Sequence, residues 1–249
     1  MSIYYADDTV TLWHGDCREL IPEDFTADLI VTDPPYGETS LGWDVWPRGW
    51  PTLAARHARS MWCFGSMRMF LNQRDEFAKW KLSQDVVWRK NRGSIFATDR
   101  FSRVHEHALH WYRGAWGDVT HETPRVPAQH GYKGTVVYSG QAPHAGTIGT
   151  GYAYVDDGMR LHPSVIEARN MHRNGINETE KPVPLLEPLI AYGCPPGGTV
   201  LDLFAGSAST LIAARNLGRK AIGYEMREAQ CEAAARRLAQ GVLDFGSAS

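Results

Sequence analysis

"GGTVLDLFAGSASTLIAARNLGRKAIGYE", residues 197–225, reads as a strand, a glycine-containing turn, an alanine-rich helix closed by Gly218, and a second strand ending on Glu225. That is one βαβ unit, the repeating piece of a parallel sheet with helices on its faces. Gly206 suits the dihedrals of a sharp strand-to-helix turn. The helix N-terminus beyond it leaves N–H groups free for a ligand. Glu225 follows Gly206 by 19 residues, near the ~20-residue interval at which an acid meets ribose hydroxyls in dinucleotide folds. A complete GxGxxG is absent, which weakens a nicotinamide or flavin reading, and a carboxylate suits an adenosine ribose without a 2′-phosphate. An ordinary βαβ unit with a surface glutamate fits the same letters.

The alternation continues along the chain. Thr9–His14, Asp28–Thr32, Ser60–Phe64, Gln84–Trp88, His107–Tyr112, Thr199–Leu203 and Lys220–Tyr224 are predicted strands, and Thr52–Arg59, Met67–Lys79, Val183–Tyr192, Ser209–Leu217 and Glu228–Gln240 predicted helices. The pattern predicts an α/β fold with a doubly wound, mostly parallel, seven-stranded sheet. Residues 114–180, rich in Gly, His, Thr and Pro, break it. A structureless loop of that length is improbable in a compact domain, so an inserted irregular lobe of short strands is expected between catalytic-domain segments 1–113 and 181–249.

A chain of 249 residues with 43% hydrophobic content supports one large core. Its net charge of −2 gives no global basic field, so any nucleic-acid contact must come from local clusters. Four dispersed cysteines without a CxxC pair point to reduced thiols rather than a disulfide framework or zinc site. The N-terminal MSIYYADDTV lacks signal-peptide character, and no apolar run nears the roughly 18 residues of a membrane span. A cytoplasmic protein is expected.

A second segment carries chemistry. In "DLIVTDPPYG", residues 28–37, a buried strand ends on Asp33, two prolines and Tyr36. Each proline fixes its own φ and keeps the residue before it extended. Asp33 and the Pro34 carbonyl thus become two preset acceptors beside an aromatic face, suited to an exocyclic amino group on a nucleobase. Accepting both N–H bonds favours a more tetrahedral nitrogen that can attack a sulfonium methyl in line. A proline-rich turn with a capping Asp remains the plain alternative.

On these residues the chain resembles S-adenosylmethionine-dependent amino-methyltransferases of DNA, in the permuted class where the DPPY half precedes the cofactor-binding half. The likeness covers most of residues 8–40, 60–112 and 178–240. It implies a Rossmann-like methyltransferase fold, base flipping, and Asp33, Pro34, Pro35 and Tyr36 as catalytic residues. "HGDC" (14–17) resembles the family's strand-end acid and implies Asp16 and Cys17 near the cofactor's adenine. "NETEKPVPLLEPLI" (177–190) implies Lys181-Pro182 walling the methionine end. "LDLFAGSAST" resembles the FxGSGTT-like turn, implying Asp202, Phe204, Ala205, Gly206, Ser207 and Ser209 as cofactor residues, with Asp33, Glu225 and Met226. Ala208 and Ser209 depart from the family's second Gly and its Thr.

Residues 89–113 hold Arg89, Lys90, Arg92, Arg100, Arg103 and Arg113 against Asp99 and Glu106. The first five are candidate phosphate contacts, although a solvated loop fits equally. His105, His107 and His110 complete no compact ligand set, and no metal is expected. The stretch 37–50, with Trp43, Trp46 and Trp50, reads either as a lid or as a packed loop. Arg125, Lys133, Arg160, Arg169 and Arg173 are candidates for sequence readout in the inserted lobe. The resemblance implies double-stranded DNA as partner, adenine-N6 as target and a possible homodimer. Cytosine-N4 methylation, an RNA substrate, a catalytically silent scaffold and an oxidoreductase are the competing readings.

Overall fold

The computed structural model describes residues 2–94, 99–128, 134–138, 141–142, 146–147, 152–169 and 180–244. They divide into two units, Met1–Glu122 with Ser164–Ser249, and Thr123–Pro163. The insert is therefore narrower than residues 114–180. Val165–Glu167 belongs to the main sheet, and residues 170–179 lie outside the described residues.

The main unit is built on a nine-stranded sheet. In chain order its strands are β1 (Ser2–Ala6), β2 (Val10–His14), β3 (Leu29–Thr32), β4 (Ser60–Gly65), β5 (Lys81–Ser94), β6 (Arg103–Tyr112), β7 (Val165–Glu167), β8 (Thr199–Asp202) and β9 (Lys220–Glu225). They lie side by side as β1-β2-β9-β8-β3-β4-β6-β5-β7. The seven expected strands form the interior of this order. The two additions, β1 and β7, are edge strands. β1 pairs antiparallel with β2, and the three-residue β7 pairs parallel with β5. Both are too short or too polar to announce themselves by alternation.

The pairs β2–β9, β9–β8, β8–β3 and β3–β4 are parallel, whereas β4–β6 and β5–β6 are antiparallel. All four residues of β3 are buried, as a strand covered on both faces requires. Leu29 and Val31 face one core with helices α4 (Val183–Gly193), α5 (Ser209–Asn216) and α6 (Glu228–Asp244). Ile30 faces the other, with α2 (Trp50–His57) and α3 (Met67–Asn72). The short helix α1 (Cys17–Leu20) follows β2. The helix expected over Met67–Lys79 stops at Asn72 and continues as a 3₁₀ turn, Arg74–Phe77.

In the second unit three antiparallel pairs are nested in sequence: Arg125–Pro127 with Met159–Leu161, Gly134–Tyr138 with Tyr152–Asp156, and Gln141–Ala142 with Gly146–Thr147. No described helix is long and apolar enough to cross a membrane.

Candidate active site

The carboxyl ends of the parallel strands share one edge of the sheet, where ligands bind in open α/β folds. β8 and β3 are hydrogen-bonded neighbours, with Val200 opposite Leu29. Gly206 and Asp33 consequently leave the sheet side by side despite the length of chain between them. The residues expected to do chemistry or hold the cofactor, from Asp16 and Asp33 through Lys181 to Met226, line one cavity of about 780 Å³, Pro182 excepted. That volume falls within the usual range for small-molecule sites.

At the DPPY corner, Tyr36 Oη donates to Asp33 Oδ1 at 2.7 Å. Lys181 Nζ donates to Asp33 Oδ2 and lies 3.3 Å from Glu106 Oε2. Lys90 Nζ in turn donates to Glu106 Oε1. Glu106 reaches this end of the sheet because β6 runs antiparallel to β4, setting His107 opposite Gly65. The Lys181 ammonium also lies 5.2 Å from the centroid of the Phe64 ring, a cation–π distance. Lys181, expected at the methionine end of a cofactor, lines the cavity with its ammonium between the carboxylates of Asp33 and Glu106.

Burial raises the pKa of Asp33, while Lys181 pulls it back and Glu106 adds to the rise. Burial also acts to raise Glu106, but Lys181 and Lys90 hold it at about 2. Tyr36 is pushed well up, first by burial and then by Asp33, so its hydroxyl stays a donor. Glu106 Oε2 is buried and receives no well-formed hydrogen bond. The side chain is tied by charge on one oxygen and by a firm bond on the other.

The glycine turn forms the opposite wall. Asp202 Oδ1 accepts from the Thr32 hydroxyl at 2.9 Å and from Phe204 N at 3.1 Å. Burial raises its pKa to about 6, against the pull of those bonds and of Thr210. Gly206 has φ +50°, and Ala208 takes the left-handed conformation at φ +63°, a strained state for a residue with a Cβ. The position where a second glycine is common thus keeps a glycine-like backbone. Glu225, a ribose candidate, is already bonded: Gly206 N donates to Oε2 at 3.0 Å and Arg227 N to Oε1 at 2.8 Å. Oε1 also accepts from Arg227 Nε at 3.3 Å, so Oε2 is the oxygen that keeps a second acceptor site. Asp16 caps α1 through Arg18 N and is clasped by the Arg18 guanidinium. Arg18 was missed by sequence reasoning. So was Arg237 of α6, which donates to the Ser207 carbonyl at 3.1 Å and to Ser209 Oγ at 2.9 Å and pairs with Glu180.

The loop after Tyr36 divides its tryptophans. Trp50 is fully buried and stacks edge-on against Phe204, and Trp46 packs beside it against Phe77. Trp43 is partly exposed at the cavity, with the Arg227 guanidinium 4.8 Å from its ring. The Asp44 carboxylate fastens the loop by accepting from the backbone N–H of Gly37, Glu38 and Thr39. Lid and core readings each hold for part of this stretch.

The candidate phosphate contacts are engaged locally. Arg89 pairs with Glu167, Arg100 with Asp99, Arg103 with Glu38 at 3.6 Å, and Lys90 with Glu106. The Arg92 side chain, Lys133 and Arg173 lie outside the described residues, and Arg125 is paired with Asp157 in the second unit. Among the described residues no three His, Cys, Asp or Glu side chains converge as for a metal ion.

The N6_N4_Mtase family of DNA methylases matches residues 27–236, most of the chain. The chain belongs to this family. It is similar to Type II methyltransferase M.BamHI of Bacillus amyloliquefaciens, 23% identical over 94% of this chain and 58% of that one. It is also similar to a protein named as a methylase, YubD, of Escherichia coli (strain K12), 45% identical over 30% of this chain and 34% of that one. The chain therefore spans about a third and somewhat over half of these curated relatives. Among solved structures, M1.HpyAVI in its SAM complex superposes with a TM-score of 0.62 at 21% identity, covering 92% of this chain and 99% of that one. The cytosine-N4-specific PvuII DNA methyltransferase gives 0.61 at 16% identity, covering 94% and 88%. These two likenesses establish the methyltransferase fold.

Proposed function

We propose that this chain methylates the exocyclic N6 of adenine in double-stranded DNA, using S-adenosylmethionine. One observation carries the reading: Asp33, held by prolines and by Tyr36, shares a cavity with the glycine turn. The cofactor fits the donor set. Asp33, Asp202 and Glu225 give the cavity an acidic wall suited to a sulfonium and an amine, and Glu225 Oε2 keeps an acceptor site for a ribose hydroxyl. Asp16, Glu225 and Met226 would hold the adenosine end, and Asp202, Phe204, Ala205, Gly206, Ser207 and Ser209 the glycine-turn side.

When bound, this cofactor supplies an electrophilic methyl group, whose C–S bonding pair leaves with the sulfur as the amino nitrogen's lone pair forms the new N–C bond. Asp33 and the Pro34 carbonyl accept the two N–H bonds, orient that lone pair, and take charge as the nitrogen becomes cationic. Asp33 then accepts the surplus proton. Tyr36 stacks on the base, and its neutral hydroxyl keeps Asp33 in place. The base must first leave the duplex, since pairing otherwise occupies the amino group. Asp rather than Ser before Pro-Pro-Tyr favours adenine over cytosine-N4. The unit Thr123–Pro163, with Arg89, Arg100 and Arg103, is assigned to DNA contact and sequence readout.

The test is to incubate the protein with S-adenosylmethionine and unmethylated duplex DNA, digest to nucleosides, and read them by mass spectrometry. N6-methyladenine is expected. N4-methylcytosine would overturn the base assignment, and no methylated base with cofactor bound would overturn the function.

A further inference from the structure

The mechanism leaves one buried cluster unused. Lys181 is 7% exposed and lines the cavity, yet among the described residues its ammonium pairs only with the carboxylates of Asp33 and Glu106, beside the Phe64 and Trp88 rings. An ammonium has three N–H donors, so at least one remains for a ligand. Asp33 and Lys181 therefore present an acceptor and a cationic donor side by side at the edge of the same cavity.

We infer that Lys181 is a specificity-determining residue that donates a hydrogen bond to the ring nitrogen next to the target amino group, with Glu106 as the positioning residue that holds it there. The inference rests on the methyltransferase reading and sharpens it. In adenine the amino N–H lies beside the unprotonated N1, and in cytosine beside the unprotonated N3. Each base edge is a donor next to an acceptor, the complement of Asp33 next to Lys181. In guanine the amino group lies between a protonated N1 and an unprotonated N3 on the sugar side. On the Watson–Crick edge, the one that adenine and cytosine would present, Lys181 would face an N–H and the pairing fails. Discrimination by buried polar partners of this kind is strong, because the wrong base leaves them unpaired.

Glu106 explains how Lys181 can serve two partners. With Asp33 alone as counter-ion, the lysine would neutralise the carboxylate that must accept the amino group. Glu106 shares the ammonium at 3.3 Å, and Lys90 balances Glu106 from behind. The four groups are formally neutral together, and the lysine is braced from two sides. The other groups near it are the Phe64 and Trp88 rings and Cys63, whose thiol burial keeps protonated, and they offer no competing counter-ion.

The experiment is a chemical double-mutant cycle. A duplex that the wild-type protein methylates is prepared with its adenines intact or replaced by 1-deazaadenine, in which C–H stands for N1. If cytosine proves to be the methylated base, 3-deazacytosine is used. Wild type and Lys181→Met are compared by single-turnover rate and by duplex affinity with S-adenosylhomocysteine present, so a slow variant still reports. Cofactor binding by calorimetry verifies that the variant is folded. The deaza substitution should cost wild type about tenfold to a hundredfold, as for loss of a hydrogen bond to a charged donor. It should cost Lys181→Met threefold or less. Any intrinsic effect of the analogue on amine reactivity cancels between the two proteins. Equal deaza penalties in both would overturn the contact. Failure of wild type to methylate the unmodified duplex would instead reject the methyltransferase reading itself.

Discussion

β4 and β6 bury polar side chains at both ends of their ladder, and the two ends are built on opposite rules. Toward the amino end of β4, His110 is fully buried; its Nε2 lies 2.9 Å from Ser60 Oγ and its Nδ1 3.0 Å from Ser83 Oγ. Aromatic rings of Trp62 and Tyr192 pack around it. Both ring nitrogens are paired with neutral partners, and burial lowers the pKa to about 4. At the other end, beyond Gly65, Glu106 is charged, lies against a cavity residue, and has one buried oxygen without a well-formed hydrogen bond. A fully satisfied neutral network fixes a fold. An incompletely satisfied charged one calls for an explanation, and here a ligand edge supplies it.

The contrast can be broken from either end. His110→Ala should lower stability by about 2–4 kcal/mol, since it opens a cavity and orphans the buried Ser60 hydroxyl, while turnover per folded molecule stays within about twofold. Denaturant titration and kcat separate the two effects. A large fall in kcat with unchanged stability would erase the distinction. The same histidine has a pH signature. Its folded pKa lies below the ordinary 6.5, so the unfolded chain takes up the proton first, and stability falls as pH drops from about 6.5 to 4. The loss should total roughly 3 kcal/mol at most, and His110→Gln should lack it.

At the charged end, Glu106→Gln should lower turnover about tenfold to a hundredfold, or ~1.4–2.8 kcal/mol of barrier. It leaves Lys181 to Asp33 alone, and cofactor affinity should hold within about threefold. Loss of cofactor binding in parallel with turnover would place Glu106 on the wrong side of the site. Glu225→Ala should do the reverse, weakening the cofactor by roughly 1.5–3 kcal/mol through both the ribose contact and the unbraced Gly206; calorimetry reads this directly. Ala208→Gly should give the smallest change. Relief of the left-handed strain, about 1–2 kcal/mol, is nearly cancelled by the lost buried methyl and the freer unfolded chain. A melting shift equivalent to more than about 2 kcal/mol in either direction would contradict that balance.

What the sequence could disclose follows from the range over which each signal acts. The glycine turn and DPPY are local: a strand, a turn residue and an acid stand within a few positions, and the chain order puts both at strand ends. The alternation of strands and helices does not disclose that β3 and β8 are neighbours; the sheet order places them together, and register then joins the two motifs. Glu106 was visible only as an acid within a basic stretch. Its role depends on the antiparallel return of β6 and on Lys181, far along the chain, so no spacing rule reveals it. Arg237 meets the glycine turn from a helix whose sequence shows only an amphipathic face. Arg18 lies two residues after Asp16, where a helix cap with a trailing arginine could have been suspected. The edge strands β1 and β7 escaped because neither has enough buried positions to alternate.

The most direct test of the central claim uses Asp33. Wild type and Asp33→Ala are titrated with S-adenosylmethionine by calorimetry, and transfer of labelled methyl to unmethylated duplex DNA is followed in the same preparations. The account predicts that both bind the cofactor with comparable affinity, while the variant loses transfer by about a thousandfold or more, at or above the cost of removing one transition-state partner. Transfer that persists in Asp33→Ala, or loss of cofactor binding that matches the loss of transfer, would contradict it.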